Sequence, residues 1–286
     1  MSQIVKCLKL RRTNSIIWSM VLIFGLIISG EVSGNTIREK PSAILEREFC
    51  KGTSIRLKFL KENILRIQIS QQGGKFNESG LNRYGFIQDL NSNNLDVKIL
   101  ESKNSFSAET SQLKIKGNGL TGEIVITDPS GKKTFLKQVA ANFQEKSSNV
   151  EFKAEKEEDW IGFGDQSRKR LYHRGYMADC YVTNVRSYIP VPFFMSTLGT
   201  GILVNSTYRV VFDMCKTNPD NYSWVDESGN IDYYVIVGEG YPELLDLYTE
   251  LTGKPKLPPQ WVFGLWYICR TQANDYEAVN DALNFR

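Results

Sequence analysis

The sequence predicts a mainly β protein, a β-sandwich or barrel followed by the opening strand and helix of an α/β unit. Three observations carry that expectation. Between Phe49 and Asp159, short runs alternate apolar and polar residues at period two, with turn residues every ten positions or so. Val191 to Asp213 reads as two apolar arms around Gly199 and Gly201, placed where a buried hairpin needs positive φ. Trp261 to Cys269 is almost continuously apolar, as a strand covered on both faces is, and a helical pattern follows.

The first 34 residues read as a secretory signal peptide rather than as fold. Lys6, Lys9, Arg11 and Arg12 precede the apolar run Ile16 to Ser29, and Gly30, Ser33 and Gly34 supply a small-residue exit. The run is short of the ~20 residues that a membrane span needs. An uncleaved signal anchor, and with it a membrane location, is the alternative; on either reading the body of the protein is exported.

The period-two runs are 54–60, 64–70, 95–100, 105–110, 113–117, 122–128, 132–139 and 149–155. Lys61-Glu62-Asn63 and Pro129-Ser130-Gly131 are turns between them. Gly117, Gly119 and Gly122 match the spacing GxGxxG, but a strand pattern follows where a nucleotide site needs a helix, so the segment is a hairpin loop. Residues 221–240 add two strands around Asp226-Glu227-Ser228-Gly229. Tyr241 to Thr252 is helical, with Leu244, Leu247, Tyr248 and Leu251 on one stripe and Gly253 and Pro255 ending it.

Charge and cysteines narrow the function classes. A net charge of +3 over 286 residues, without a basic stripe, argues against a nucleic-acid surface. Cys50, Cys180, Cys215 and Cys269 remain after the signal, which permits two disulfides, one or none. With His173 the only histidine and no CxxC spacing, a zinc site is not expected, and no residue pattern calls for a metal or organic cofactor. Asn77, Asn205 and Asn221 head glycosylation sequons.

Asp165 to Ile189 is long, polar and poorly periodic. Tyr172, Tyr176, Tyr181 and Tyr188 argue against disorder, and Arg168, Arg170, Arg174, Asp179 and Asn184 supply polar tips. Rings beside such groups suit sugars; a self-packed surface loop is the plain alternative. At the other end, Asp275 to Arg286 places Tyr276, Val279 and Leu283 on one helical face. One strand and one helix cannot bury their own faces, so this end is expected to open a further domain. The organisation is thus a signal peptide (1–34), an N-terminal β-sandwich (35–253), and a linker with the first strand and helix of the next domain (254–286).

Four segments resemble, in order, motifs of glycoside hydrolase family 31, the α-glucosidase and α-xylosidase family. Gly162-Phe163-Gly164-Asp165-Gln166 looks like its Tyr-Gly-Leu-Gly-Glu, with Asp165 where Glu is usual. Tyr188 to Ser196 is similar to its Ile-Pro-Phe-Tyr-Met-Ser strand, and Gly199 to Asp213 to the following strand with its aromatic-Asp end. Thr252 to Trp266 looks like its Thr-Gly-x-Pro, Pro-Pro-x-Trp and Gly-x-Trp passage into the barrel. The resemblance covers roughly Leu57 to Arg286 and is specific from Gly162 on.

The resemblance implies a galactose-mutarotase-like β-sandwich followed by the first βα unit of a truncated (β/α)8 barrel, a fold of ~250 residues. It implies an exported retaining α-glycosidase with an α-glycoside as substrate, no cofactor, and two barrel carboxylates as catalysts. No stretch like the family's Trp-x-Asp-Met-Asn-Glu occurs here, so no catalytic residue is assigned and the chain alone is expected to be inactive. Asp179, twelve residues before Val191, resembles a sandwich-loop Asp that ligates substrate hydroxyls in some members. Trp266 and Tyr267, near the C-terminal end of the first barrel strand, fall where barrel sites lie and are further substrate-binding candidates. The alternative is a complete, non-catalytic carbohydrate-binding β-sandwich module.

Overall fold

In the computed structural model, which describes residues 36–38, 43–71, 74–90, 92, 95–166, 170–183, 188–265 and 274–284, the chain order is strand almost throughout. The strands are β1 (Thr36–Arg38), β2 (Ile44–Glu48), β3 (Ser54–Lys61), β4 (Ile64–Ser70), β5 (Lys98–Glu101), β6 (Ser105–Glu109), β7 (Lys114–Asn118), β8 (Ile124–Thr127) and β9 (Thr134–Phe143). They continue as β10 (Ser148–Lys153), β11 (Trp160–Gly164), β12 (Tyr176–Cys180), β13 (Pro190–Ser196), β14 (Thr200–Val204), β15 (Val210–Met214), β16 (Asn221–Asp226) and β17 (Ile231–Val237). The α-helices are α1 (Gly80–Arg83), α2 (Tyr241–Thr252) and α3 (Asp275–Asn284).

Among the described residues these strands form two sheets, paired antiparallel throughout. Ten strands run in the order β1-β5-β6-β7-β8-β9-β10-β16-β15-β12, and seven in the order β11-β13-β14-β17-β4-β3-β2. The alternation read in the sequence is the cause: Ile55, Leu57 and Phe59 of β3 and Ile124 and Ile126 of β8 point to one shared core, and the residues between them do not. Rings fill its centre, where Phe152 lies 4.8 Å from Trp224 and 5.0 Å from Tyr222, centroid to centroid. The fold is a β-sandwich.

The outer face of the seven-stranded sheet is covered as well, so every residue of β4 is buried. Its apolar half lies under α2, whose Leu244, Leu247 and Leu251 pack on Ile64, Leu203 and Ile236, with Tyr248 stacked on Phe193 at 4.0 Å. Its polar half lies under a strap, residues 74–84. There Arg66 donates to Asp232 through Nε at 2.9 Å and Nη2 at 2.7 Å, and both partners are almost fully buried. Asn205 Nδ2 donates to the same carboxylate at 2.7 Å and to Asn82 Oδ1 at 2.8 Å, while Glu78 of the strap accepts from Arg66 at 3.2 Å. Burial opposes the Arg66 charge, but the hydrogen bonds and charge of Asp232 more than offset it and raise its pKa.

Three expectations change. Ile202 to Asp213 is not one hairpin arm: β14 belongs to the seven-stranded sheet and β15 to the ten-stranded one. The chain crosses between sheets at Asn205 and Ser206, whose side chains bond Asp232 and Asp226 respectively. Gly199 has φ +85° as the turn requires, whereas Gly201 lies within β14 against the Phe193 ring. Finally, Trp261 to Leu265 is not a strand. It begins as a 3-10 turn, Gln260–Phe263, with Phe263 71% and Leu265 93% exposed. A strand needs a neighbour for its backbone groups, and among the described residues none pairs with 261–265; the rest of the expected strand, 266–269, lies outside the described residues. α3 forms as the pattern predicts, with Tyr276, Val279 and Leu283 exposed. The GxGxxG segment is the β7–β8 hairpin loop.

Candidate functional site

The candidate site is the segment from Asp165 to Ile189, and its base is set by glycine. Gly162, Phe163 and Gly164 have φ of 137°, 65° and 68°, and the register of β11 on β13 shifts there. A Cβ at Gly164 would overlap the Ile189 carbonyl oxygen. That close approach lets Asp165 N donate to Ile189 O at 2.8 Å, closing the loop at its two ends.

Inside the closure, residues 170–183 carry more regular structure than the sequence pattern predicts. Arg174 is spread over three carbonyls, donating to Glu158 O at 2.6 Å, Pro219 O at 3.0 Å and Glu155 O at 3.1 Å, with its guanidinium over Trp160. His173 is fully buried, with Nδ1 3.3 Å from Trp160 O and its ring edge-on to Phe163 and Tyr176. Gly175 N donates to Met214 O, and from there β12 runs as the edge strand of the larger sheet along β15. The expected loop therefore contains a strand. Ala178 and Cys180 face the core, and Met177 and Asp179 face out.

The partner of Asp179 is Arg209, which donates through Nε to Oδ1 at 2.9 Å and through Nη2 to Oδ2 at 2.7 Å. Arg209 Nη1 also lies 3.5 Å from Glu227, so one guanidinium bridges two carboxylates. Its pKa is raised, first by the hydrogen bond and then by the charge of Asp179. Both groups of the pair are about 40% exposed, so the ion pair contributes only ~0.2–1 kcal/mol to stability. An ionised carboxylate has about four acceptor positions; Arg209 takes two, and the outward face leaves the others open to a ligand's hydroxyls.

Trp266, Tyr267, Arg168 and Asn184 lie outside the described residues. Cys50, Cys180 and Cys215 are buried free thiols, so the two-disulfide pairing does not form. Burial pushes Cys180 up to about 12 and Cys215 to about 11, so neither is a nucleophile at neutral pH. Among the described residues no group of three or more His, Cys, Asp or Glu is placed to hold a metal, and no helix is long and apolar enough to cross a membrane. Sequence reasoning missed β12 and Arg209. The small-large alternation Ala178, Asp179, Cys180 was the one available signal for the strand, and nothing local signalled the arginine.

His173 gives the segment a pH dependence. Burial lowers its pKa from 6.5, so the unfolded chain binds the proton before the folded one does. Stability is full above pH 6.5 and falls as pH drops below it. Burial also raises Glu158, Asp226 and Asp232, which act in the opposite direction, so the comparison is made against a variant. Urea unfolding at pH 7 and pH 5 is expected to show a change on going to pH 5 that is less favourable to the folded state in the parent than in His173→Phe. An equal change in both proteins removes His173 as a cause.

Residues 54–213 match the family model described as the glycosyl hydrolase 31 N-terminal galactose mutarotase-like domain. The chain belongs to glycosyl hydrolase family 31. An isomaltosyltransferase of Sporosarcina globispora is 28% identical across 80% of this chain and 22% of its own length. An α-xylosidase of Lactiplantibacillus pentosus is 42% identical across 28% of this chain and 11% of its own. The chain thus spans about a fifth or less of these family 31 relatives. A family 31 dextranase of Flavobacterium johnsoniae, solved with glucose, shares the fold at TM-score 0.67 and 24% identity, over 81% of this chain and 29% of that one.

Proposed function

We propose that this chain is the N-terminal part of an exported retaining α-glycosidase of family 31. The sandwich, 35–253, supports a (β/α)8 catalytic barrel and lends it Asp179 as a ligand for substrate hydroxyls; 254–286 lead into that barrel, and 1–34 are a signal peptide. The family match over the sandwich carries the reading. It is supported by relatives that are named for work on α-glucosides and α-xylosides. It is supported too by the exposed apolar side chains of Phe263 and Leu265 after α2, which a following domain would cover. Trp266 and Tyr267 are assigned to the same substrate. The catalytic acid pair belongs to the barrel, and no residue of this chain is given that role.

The test is hydrolysis of aryl α-glucosides and α-xylosides by this chain and by the product of a reading frame extended past residue 286. The chain alone is expected to be inert and the longer product active. In the longer product Asp179→Ala is expected to raise KM about tenfold, the scale of a lost charged hydrogen bond. Activity of the chain by itself, or a longer product without glycosidase activity, removes the proposal; an unchanged KM removes Asp179 alone.

A further inference from the structure

A trough runs beside the strap on the outer face of the seven-stranded sheet. It comprises two clefts of about 430 and 320 Å³ that share Asn77, Ser228, Asn230 and Asp232. Neither is lined by Asp179. Clefts of a few hundred Å³ with a small number of fixed polar groups are the usual form of small-ligand sites.

The lining chemistry selects among ligands. Lys75 and Arg83 stand against Glu78, Glu145 and Asp232, and Arg66 beneath the floor neutralises the last. Three cations against three anions leave no net field to draw in a phosphate or a polyanion. The uncharged polar lining mixes side-chain amides with hydroxyls, Asn77, Asn230 and Gln71 standing beside Ser70, Thr207 and Ser228. Amides and hydroxyls both donate and accept, so a rim of zero net charge built from them fits a neutral polyol. Tyr208 supplies apolar surface in the larger cleft, and Phe76 and Phe143 do so in the smaller. The Tyr208 side chain is 62% exposed at the rim, and its backbone is held by N–H donation to Ser206 Oγ, itself bonded to Asp226. A ring presented in this way offers a face to the C–H side of a sugar. The floor is rigid, because Asp232 is fixed by Arg66, Gln68 and Asn205 at once.

We propose that this trough is a second carbohydrate site of the chain, taking a neutral oligosaccharide with Tyr208 as its stacking platform and Asn77 and Asn230 as hydroxyl partners. It goes beyond the role of Asp179 and does not depend on it. Binding here holds substrate chains on the sandwich instead of acting on them.

The test is calorimetric titration of the folded chain with maltotriose and with isomaltotriose, and with inorganic phosphate as the anionic comparison. Saturable binding of at least one trisaccharide is expected, weakened about tenfold by Tyr208→Ala and about threefold by Asn77→Ala. Asp179→Ala is expected to leave it unchanged, which separates this site from the one under Proposed function. Both trough side chains are exposed, and circular dichroism confirms that the variants fold. The proposal is overturned by the absence of saturable binding, by binding that survives Tyr208→Ala, by phosphate competing with the sugar, or by loss of binding in Asp179→Ala.

Discussion

Asp232→Ala is expected to lower the melting temperature of the sandwich by roughly 10 °C. The substitution leaves Arg66, with a side chain only 5% exposed, without its main counter-charge. Glu78 remains within 3.2 Å, but its side chain is 54% exposed and its attraction is weakened by water. Breaking one half of a buried pair costs ~3–5 kcal/mol, most of it the penalty of an uncompensated charge. Asn205 Nδ2 and Gln68 Nε2 lose an acceptor in the same step. The double variant Arg66→Met, Asp232→Leu removes both charges and is expected to recover most of the loss. Thermal unfolding of the three proteins decides it. A single variant that melts within about 2 °C of the parent shows that the strap, not the ion pair, carries the stability.

Gly164→Ala is expected to cost about 3 kcal/mol. Two effects add: φ is +68°, and the new Cβ overlaps the Ile189 carbonyl oxygen, a backbone atom that a side-chain rotation cannot move aside. Gly131→Ala separates them. Its φ is +75° but nothing lies within 4 Å of the added carbon, so it carries the dihedral strain alone, about 1 kcal/mol. Because the clash falls on the closure between Asp165 and Ile189, the damage is local before it is global. Limited proteolysis is expected to cut Gly164→Ala between residues 165 and 189 under conditions where the parent is intact. Equal cleavage and equal unfolding free energies in the two glycine variants would show that the closure is dispensable.

The strands of the sandwich were legible because their physics is local. In β3 and α2 the apolar spacing alone fixes which face is covered, and the structure reproduces the bounds of β4 and α2. Where the sequence misled, the deciding interaction was distant. Nothing in the run after Gly201 marks the point at which the chain changes sheets; that depends on Asp226 and Asp232 meeting Ser206 and Asn205. β12 exists because β15 lies alongside it, thirty or so residues on in sequence. The apolar pattern after Pro259 is real, but periodicity reports what a segment would bury and not whether a neighbour is there to bury it. The site divides in the same way. Asp179 was legible as a carboxylate in a familiar place, while its orientation by Arg209 follows from strand register.

The pairing of β4 with β17 has a consequence for synthesis. The hairpin of β3 and β4 is complete once residue 70 has been made, yet the strand that flanks it in the sheet begins at Ile231. At ribosomal speeds of ~5–20 residues per second, the hairpin waits roughly 10–30 s with the edge of β4 unpaired. Joining ends so far apart also makes the central sheet slow to nucleate. For that interval the nascent chain offers a bare strand edge to anything nearby, so its yield is governed by what shields that edge before β17 arrives.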